Sequence, residues 1–498
     1  MSDKHFDLCV IGGGVNGAGI ARDASLRGLS VLLLEAQDLA SATSSSSSKL
    51  IHGGLRYLEY YEFKLVREAL KEREKLLAIA PHIIWPLRFV LPHDQSQRPA
   101  WLIRMGLFLY DHLARRKKLR GSCGIKFKKN KYGEPLRDEF KRGFVYSDCW
   151  VNDARLVALN AIDARKHGAS ILTRTACTKI VHDHTHWTLH TKNLNTGRQE
   201  RFTADNVINA AGPWVRALLD ESDLAKENTP QIRLVKGSHI VVPQIHKGDQ
   251  AYILQQEDGR IVFAIPYEDK YTLIGTTDVE VNEDPAGVSI SAEEIEYLCN
   301  AANDAFETLI TKEDIVWSYS GVRPLLDDGD ENASAVTRDY KLILDEYDGL
   351  KLLSVFGGKI TTYRTLSRDA VSKIFAGRKN LKPSTTHKYP LPGGDIKKGN
   401  FKKFITAQEQ RYPWLDAQLL YRYARSYGTC MNEIIGTAKS HYDLGEHFGE
   451  HVYEAEIRYL IDNEFAITSE DILWRRSKLG LHINDKTKQA LEQFIKQQ

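Results

Sequence analysis

The sequence predicts an α/β chain of several domains: a Rossmann-like dinucleotide-binding domain, a β-rich second domain and a helical C-terminal domain. Three observations carry this. The apolar run Phe6 to Ile11 enters the glycine-rich Gly12-Gly13-Gly14-Val15-Asn16-Gly17, then a helix-compatible stretch and a second apolar run, Val31 to Leu34. Several short β-like runs lie between Ile232 and Gly275. Beyond Tyr389-Pro390 the chain turns charged, aromatic and helix-compatible. At 498 residues it is too long for one ordinary core, so two or three domains are expected.

Taken in order, Ile20 to Arg27 is the first helix and Phe63 to Ala80 the next, with Leu65, Leu70, Leu76 and Leu77 forming an apolar stripe among charges. Pro81, Pro86 and Pro92 then mark a change of element. Trp101 to Leu113 is strongly apolar, and from Arg115 to Lys131 there are nine Lys or Arg and no acid. Alternating strands return at Ser170 to His190, and Asp205 to Gly212 is a buried strand ending in Ala-Ala-Gly. His239 to Val242, Ile261 to Pro266 and Tyr271 to Ile274 are further strands, and Pro392-Gly393-Gly394 punctuates the entry to the last domain. The expected limits are 1–80, 145–235 and 335–388 for a discontinuous dinucleotide domain. Residues 81–144 and 236–334 form a substrate domain, and 389–498 the helical one.

Hydrophobic residues make up 42% and charged residues 27%, an ordinary globular balance. A net charge of +3 argues against wholesale nucleic-acid coating. The six cysteines are scattered without C-x-x-C or metal-ligand spacing, which suits a reducing compartment, and no metal site is expected. The N-terminus lacks the apolar stretch of a secretory signal, and nowhere do 18 apolar residues run together. The expected location is cytoplasmic, with peripheral attachment to the inner face of the cell membrane.

The glycine motif gains meaning from its context. Gly12 permits a tight turn, Gly14 lets backbone approach a pyrophosphate, and Gly17 lets the helix pack closely on the strand. The helix's amide-rich start then faces the anion, with Asn16 in its first turn. Glu35, about 20 residues on, is placed to accept from ribose hydroxyls and would repel a 2′-phosphate. These features leave NAD and FAD both open. The next segment, Ala42-Thr43-Ser44-Ser45-Ser46-Ser47-Ser48-Lys49-Leu50-Ile51-His52-Gly53-Gly54-Leu55-Arg56-Tyr57-Leu58, separates them. A flexible linker has no reason to lead into Leu-Ile-His-Gly-Gly-Leu-Arg. Small hydroxyl residues and glycines allow close approach to phosphates and to a flat ring system.

Here the chain resembles the FAD-dependent, quinone-reducing glycerol-3-phosphate dehydrogenases of the glycine-oxidase and D-amino-acid-oxidase-like superfamily. Ser45 to Leu58 resembles one signature of that family, and Gly357-Gly358-Lys359-Ile360-Thr361-Thr362-Tyr363-Arg364 the other. Asn209 to Trp214, Lys236 to Val242, Gly275 to Asp278 and Tyr319 to Leu325 also match, so the likeness covers essentially the whole chain. The resemblance implies an FAD-binding domain, a β-rich substrate domain and a C-terminal α-helical cap. It implies that FAD is held by Gly12, Gly14, Asn16, Gly17, Glu35, Thr43, Ser44, Ser45, Lys49, Leu50, His52 and Gly53. To these it adds Ala211, Gly212, Trp214, Gly357, Gly358, Lys359 and Thr361.

Oxidising a phosphorylated secondary alcohol requires a hydride acceptor, a base and cations for the phosphate. The resemblance assigns the substrate pocket to Arg56, Tyr57, Arg323, Arg338 and Lys359. Lys359, after two glycines, would also stabilise negative charge on a reduced flavin. His239 is the expected proton acceptor with His52 behind it, and Arg323 is counted with the catalytic groups. Expected partners are glycerol 3-phosphate, a membrane quinone and an anionic membrane surface reached by Trp101 to Leu113 and the basic run. A buried helix followed by a solvated loop is the alternative for that segment. A homodimer is among the expected assembly options. Two other functions are alternatives. One is an oxygen-using glycerophosphate oxidase or amine oxidase of the same superfamily, and the arginine set favours a phosphate over an amino acid. The other is a flavin-containing RNA-binding or RNA-modifying protein, against which the near-neutral charge argues, so no nucleic-acid partner is expected.

Overall fold

The computed structural model describes residues 4–94, 98–326 and 339–497. The leading strand, turn and helix form as His5–Ile11, Gly12 to Gly14 and Val15–Leu26, followed by Val31–Leu34. Five parallel strands lie side by side in the order Ser170–Leu172, Val31–Leu34, His5–Ile11, Gln199–Asn209 and Leu350–Phe356. Lys341–Tyr347 adds an antiparallel edge, and Trp187–Asn193 and Thr175–His182 extend antiparallel from Gln199–Asn209. The helices Val15–Leu26, Asp153–Lys166 and Tyr363–Ile374 bury one face of this sheet. Trp187, Phe202, Val215 and Leu218 fill the other. Burial on both faces is why Val31–Leu34 is apolar at every position instead of alternating.

A second sheet, ten-stranded among the described residues, centres on Ile232–Pro243. That strand pairs along its length with Trp317–Leu326, and on its other side with Tyr271–Gly275. Ile261–Tyr267, Ala251–Gln255, Ile84–His93, Arg142–Val151 and Leu50–Ile51 continue the order. Pro86 and Pro92 do not end a strand: they flank Phe89 and Val90, the two positions where Ala251–Gln255 pairs, so the missing amides coincide with unpaired stretches of that side. Leu50–Ile51 pairs with Arg142–Val151 and thereby carries the serine-rich signature from the first sheet to the second.

The C-terminal part is helical, with its own core of Leu419, Tyr423, Tyr427, Ile457, Leu460 and Leu491 among others. Buried ion pairs tie it to the first domain: Arg155 with Glu464, Arg475 and Arg476 with Asp38, and Arg174 with Asp471. Trp101 to Leu113 forms the helix Ala100–His112, and it is not a core helix. Leu107 and Tyr110 face inward, while Trp101 is 68% and Phe108 53% exposed, with Met105 beside them. Among the described residues no helix is long and apolar enough to cross a membrane.

Candidate functional site

The glycine turn has no room for side chains. Gly12 has φ +105°, and a Cβ there would meet Ala210 O at 2.5 Å; at Gly17 it would meet Gly12 O at 1.8 Å. The following helix starts at Gly14 with no side-chain cap of its own. Ser44 Oγ instead accepts from Val15 N at 2.9 Å, which fixes the serine-rich loop against the helix start. Asn16 donates from Nδ2 to Gly357 O, and its Oδ1 is buried without a hydrogen-bond partner. Glu35 ends its strand with the carboxylate accepting from Gly13 N at 2.6 Å and Gln37 N at 2.7 Å, and burial lifts its pKa above the ordinary value. The carboxylate is therefore braced by backbone, with lone pairs left for a ribose hydroxyl.

The serine-rich loop is anchored from below. Lys49, expected among the cofactor ligands, is 1% exposed, and its Nζ lies 3.0 Å from both oxygens of the fully buried Asp153 and 3.0 Å from Ser45 O. Ser47 Oγ donates to the same Asp153 at 2.7 Å. Lys49 thus holds the loop, and its charge is matched inside the protein. Thr43 Oγ1 donates to Val322 O and Ser45 Oγ to Ala42 O, which fold the loop onto the strand Trp317–Leu326. Leu50, also expected at the cofactor, turns its side chain into an apolar cluster with Val66 and Leu70. Gly53 is likewise a packing position: its amide donates to Tyr110 Oη at 2.7 Å, and a Cβ would meet Leu70 and Tyr110. Tyr110 in turn donates to buried Asp148, the partner of Arg73.

The second glycine signature comes to the same junction. Gly357 and Gly358 have φ +72° and +104°, conformations that favour glycine, and Thr361 Oγ1 accepts from His52 N. Lys359 Nζ sits 3.8 Å from the centre of the Tyr57 ring, a cation–π contact joining the two signatures. Ala210 N bonds Ile11 O and Ala211 N bonds Asn209 Oδ1, so Ala211 and Gly212 leave the sheet beside Gly12. The Trp214 indole donates to Asp284.

His239 lies in the second sheet, 2% exposed, stacked on Tyr319 with centroids 4.8 Å apart. Its Nε2 is 2.9 Å from Ser48 Oγ, and its Nδ1 is buried without a hydrogen-bond partner. Burial, then the charges of Lys49 and Arg323, hold its pKa well below the ordinary imidazole value, so the ring is neutral. Arg323 pairs with Asp278 and donates to Thr276 Oγ1 at 3.0 Å. Two residues not singled out from sequence join it: Arg260 stacks on Tyr297 at 3.8 Å and pairs with Asp258, which feels the charge of Arg56. Arg323 is paired with Asp278 and Arg260 with Asp258, and the charges of Asp278 and Arg56 reach Arg260 and Asp258 respectively. Arg338 lies outside the described residues.

Sequence reasoning missed Ser48, Tyr319, Asp153, Arg260 and Asp278. Ser48 was visible inside a signature, and Asp278 and Tyr319 inside segments that also match; Asp153 and Arg260 sit in ordinary local sequence, and only the tertiary fold brings them in. The arrangement fits a dinucleotide bearing a flat ring. The Gly12 to Gly17 turn is a cradle that a Cβ would fill, the buried Asn16 Oδ1 lacks a partner, and the Glu35 carboxylate is held beside that turn by Gly13 N.

Residues 7–364 match the family model described as FAD dependent oxidoreductase, and 384–497 match the C-terminal domain of alpha-glycerophosphate oxidase. The chain is 51% identical to the aerobic glycerol-3-phosphate dehydrogenase of Escherichia coli (strain K12), over 98% of this chain and 97% of that protein. It is 49% identical to the D-erythritol 1-phosphate dehydrogenase of Brucella abortus (strain 2308), with the same coverage. Among solved structures it superposes on the glycerol-3-phosphate dehydrogenase from Bacillus halodurans complexed with FAD. The TM-score is 0.78 at 27% identity, covering 100% of this chain and 95% of that one.

Proposed function

Because the chain belongs to the FAD-dependent oxidoreductase family and carries the α-glycerophosphate oxidase C-terminal domain, we propose that it oxidises glycerol 3-phosphate to dihydroxyacetone phosphate. FAD is its cofactor and supplies a two-electron acceptor for the carbinol hydride. In this reading the Gly12, Gly14, Asn16 and Gly17 turn, Glu35, Thr43, Ser44 and Ser45 hold the dinucleotide half. His52, Ala211, Gly212, Trp214, Gly357, Gly358, Lys359 and Thr361 surround the ring end. The domain limits read from sequence carry over to this proposal, with Leu50–Ile51, Arg142–Val151 and Ile232–Pro243 forming the bridge between the two sheets.

The observation that carries the substrate class is the arginine neighbourhood beside a neutral histidine. Arg56, Arg260 and Arg323, with Arg338 from sequence, supply the charge-assisted hydrogen bonds that a phosphate dianion needs. Tyr57 positions Lys359 through its ring face. His239 accepts the hydroxyl proton at Nδ1 in the tautomer whose Nε2–H donates to Ser48 Oγ. Because the ring is neutral before substrate arrives, no deprotonation step precedes the chemistry.

The likeness to D-erythritol 1-phosphate dehydrogenase makes a longer phosphorylated polyol the second reading, since one arginine set serves both phosphates. Anaerobic bleaching of the bound flavin separates them. Rapid bleaching by glycerol 3-phosphate, with glycerol and glycine inert, is expected. Preference for D-erythritol 1-phosphate would move the assignment to that substrate, and bleaching by glycine alone would refute the phosphate reading.

For the second half-reaction we infer a membrane quinone as acceptor and an anionic bilayer as the docking surface at the inner membrane face. The helix Ala100–His112 supports this, with Trp101, Met105 and Phe108 outward and Arg115 to Lys118 following it. It packs on the turn Leu55–Tyr60 that carries Arg56 and Tyr57, so a docked surface would adjoin the substrate pocket.

A further inference from the structure

We propose that the tips of two neighbouring hairpins form a binding site for a borderline divalent metal ion of the Zn2+ class, with His182, His184 and Asp348 as ligands. The site lies on the outer edge of the first sheet, and its ligands come from turns far apart in sequence. One hairpin joins Thr175–His182 to Trp187–Asn193, and the other joins Lys341–Tyr347 to Leu350–Phe356.

Both tips are built to hold a ligand outward. The second hairpin turns through Asp348-Gly349 at φ +52° and +88°, the two-residue form in which Asp-Gly is favoured. His184 occupies the left-handed region too, at φ +71°. Its turn is fixed without it: Asp183 Oδ1 accepts from Thr185 N, Thr185 Oγ1 and His186 N. His182 is wedged edge-on to Trp187 and against Tyr347, with ring centroids 5.3 and 5.7 Å away.

The ligand atoms already converge. Asp348 Oδ2 lies 2.8 Å from His184 Nδ1 and 3.6 Å from His182 Nδ1, and one donor atom from each of the three residues falls within 4.8 Å of the others. Ligands on a tetrahedral zinc stand about 3.4 Å apart at ordinary metal–ligand lengths. Closing the set therefore asks for a small movement of the exposed His184. His182 Nδ1 is also a buried acceptor or donor with no hydrogen-bond partner, an arrangement that costs free energy unless something fills it. A cation satisfies both imidazoles and the carboxylate at once, with water completing the shell. Two imidazole nitrogens and one carboxylate favour Zn2+, Cu2+ or Ni2+ over Ca2+ or Mg2+, which prefer all-oxygen shells.

The bound ion would clip the antiparallel edge pair to the neighbouring hairpin. Leu350–Phe356 runs directly into Gly357-Gly358, so the clip would brace the strand leading to the second signature while leaving that signature's residues untouched.

The test uses untagged, FAD-loaded protein freed of metal by a chelator, then equilibrium dialysis against Zn2+ with elemental analysis, and thermal unfolding in parallel. Uptake of one Zn2+ per chain with a raised unfolding temperature, and no such rise with Mg2+, is expected. His184→Asn and Asp348→Asn keep residues that tolerate the left-handed turn. Each should weaken Zn2+ binding by at least roughly tenfold and abolish the thermal shift, with FAD content and flavin reduction unchanged. His451→Asn, on the C-terminal domain, should bind like the parent protein. Parent protein that takes up no Zn2+ at micromolar concentrations, or His184→Asn and Asp348→Asn proteins that bind as tightly as the parent, would overturn the proposal.

Discussion

Replacing Asp153 with Asn probes the anchor beneath the serine-rich loop. Asp153 is fully buried and accepts from Lys49 Nζ at 3.0 Å to each oxygen, from Ser47 Oγ at 2.7 Å and from Ala154 N at 2.9 Å. The amide keeps the volume but removes the charge. Lys49, 1% exposed, then keeps an amide oxygen, Ser45 O and the Tyr319 ring 4.8 Å away, but loses its opposite charge. An uncompensated buried charge costs about 3–5 kcal/mol, and 1.4 kcal/mol is about tenfold in an equilibrium constant. The equilibrium between seated and released loop should shift by roughly a hundred- to a few thousandfold. Flavin fluorescence, which rises on release, followed through a urea titration at pH 7, reads this directly. Asp153→Asn should release flavin at markedly lower urea than the parent. Lys49→Met should do the same, because Asp153 is then the stranded charge. The double replacement Lys49→Met/Asp153→Leu removes both charges and should recover most of the loss, since apolar residues of similar volume can replace a buried pair at little cost. A single Asp153→Asn loss below about 1 kcal/mol, the scale of an exposed pair, would refute the anchor argument.

Three further outcomes are expected. His239→Ala should slow flavin reduction by substrate about 10²- to 10⁴-fold with FAD content unchanged; because the ring's pKa is held well below 6.5, the parent enzyme should show no fall in reduction rate from this group between pH 8 and 6, and equal rates in parent and variant would remove His239 from the mechanism. His82 and His246 are pulled down to about 3 and about 4, chiefly by burial, so the unfolded chain takes up their protons near 6.5 while the folded chain does not. Stability should therefore drop as pH falls below 6.5, by about 1.4 kcal/mol per pH unit for each group until its folded value is reached; His82→Gln should flatten the decline in urea midpoint from pH 7 to pH 5, and an unchanged slope would refute the assignment. Replacing Arg115, Arg116, Lys117 and Lys118 with Gln should abolish flotation with anionic liposomes, at up to about 1 kcal/mol per residue. Trp101→Ser/Phe108→Ser should weaken binding to neutral and anionic vesicles alike, and flotation indifferent to both sets would exclude this face.

What the sequence determined by itself is everything that local chemistry dictates. Gly17 is required by contacts within one strand–turn–helix unit, Gly12 by its left-handed backbone at φ +105°, and Glu35 closes the strand that follows, so a short window announces a dinucleotide. The two signatures announce the flavin for the same reason, because their glycines and hydroxyls answer to one flat ligand. The apolar helix after Pro99 was also legible, though its exposure was not: a 3.6-residue pattern says which residues share a face and not whether that face meets core or solvent.

Only the tertiary structure decided which charges are free to act. Lys49 reads as a ligand from its place in a signature, and only the tertiary structure shows its ammonium paired with Asp153, carried in by another strand and helix. Arg260 looks like an ordinary hairpin residue until the fold sets it where the charge of Asp278 reaches it. His182 and His184 carry no metal-ligand spacing by themselves, because the third donor waits on Asp348. Backbone conformation and close approach are encoded locally, whereas electrostatic fate depends on which residue lies opposite, and sheet topology assigns that partner.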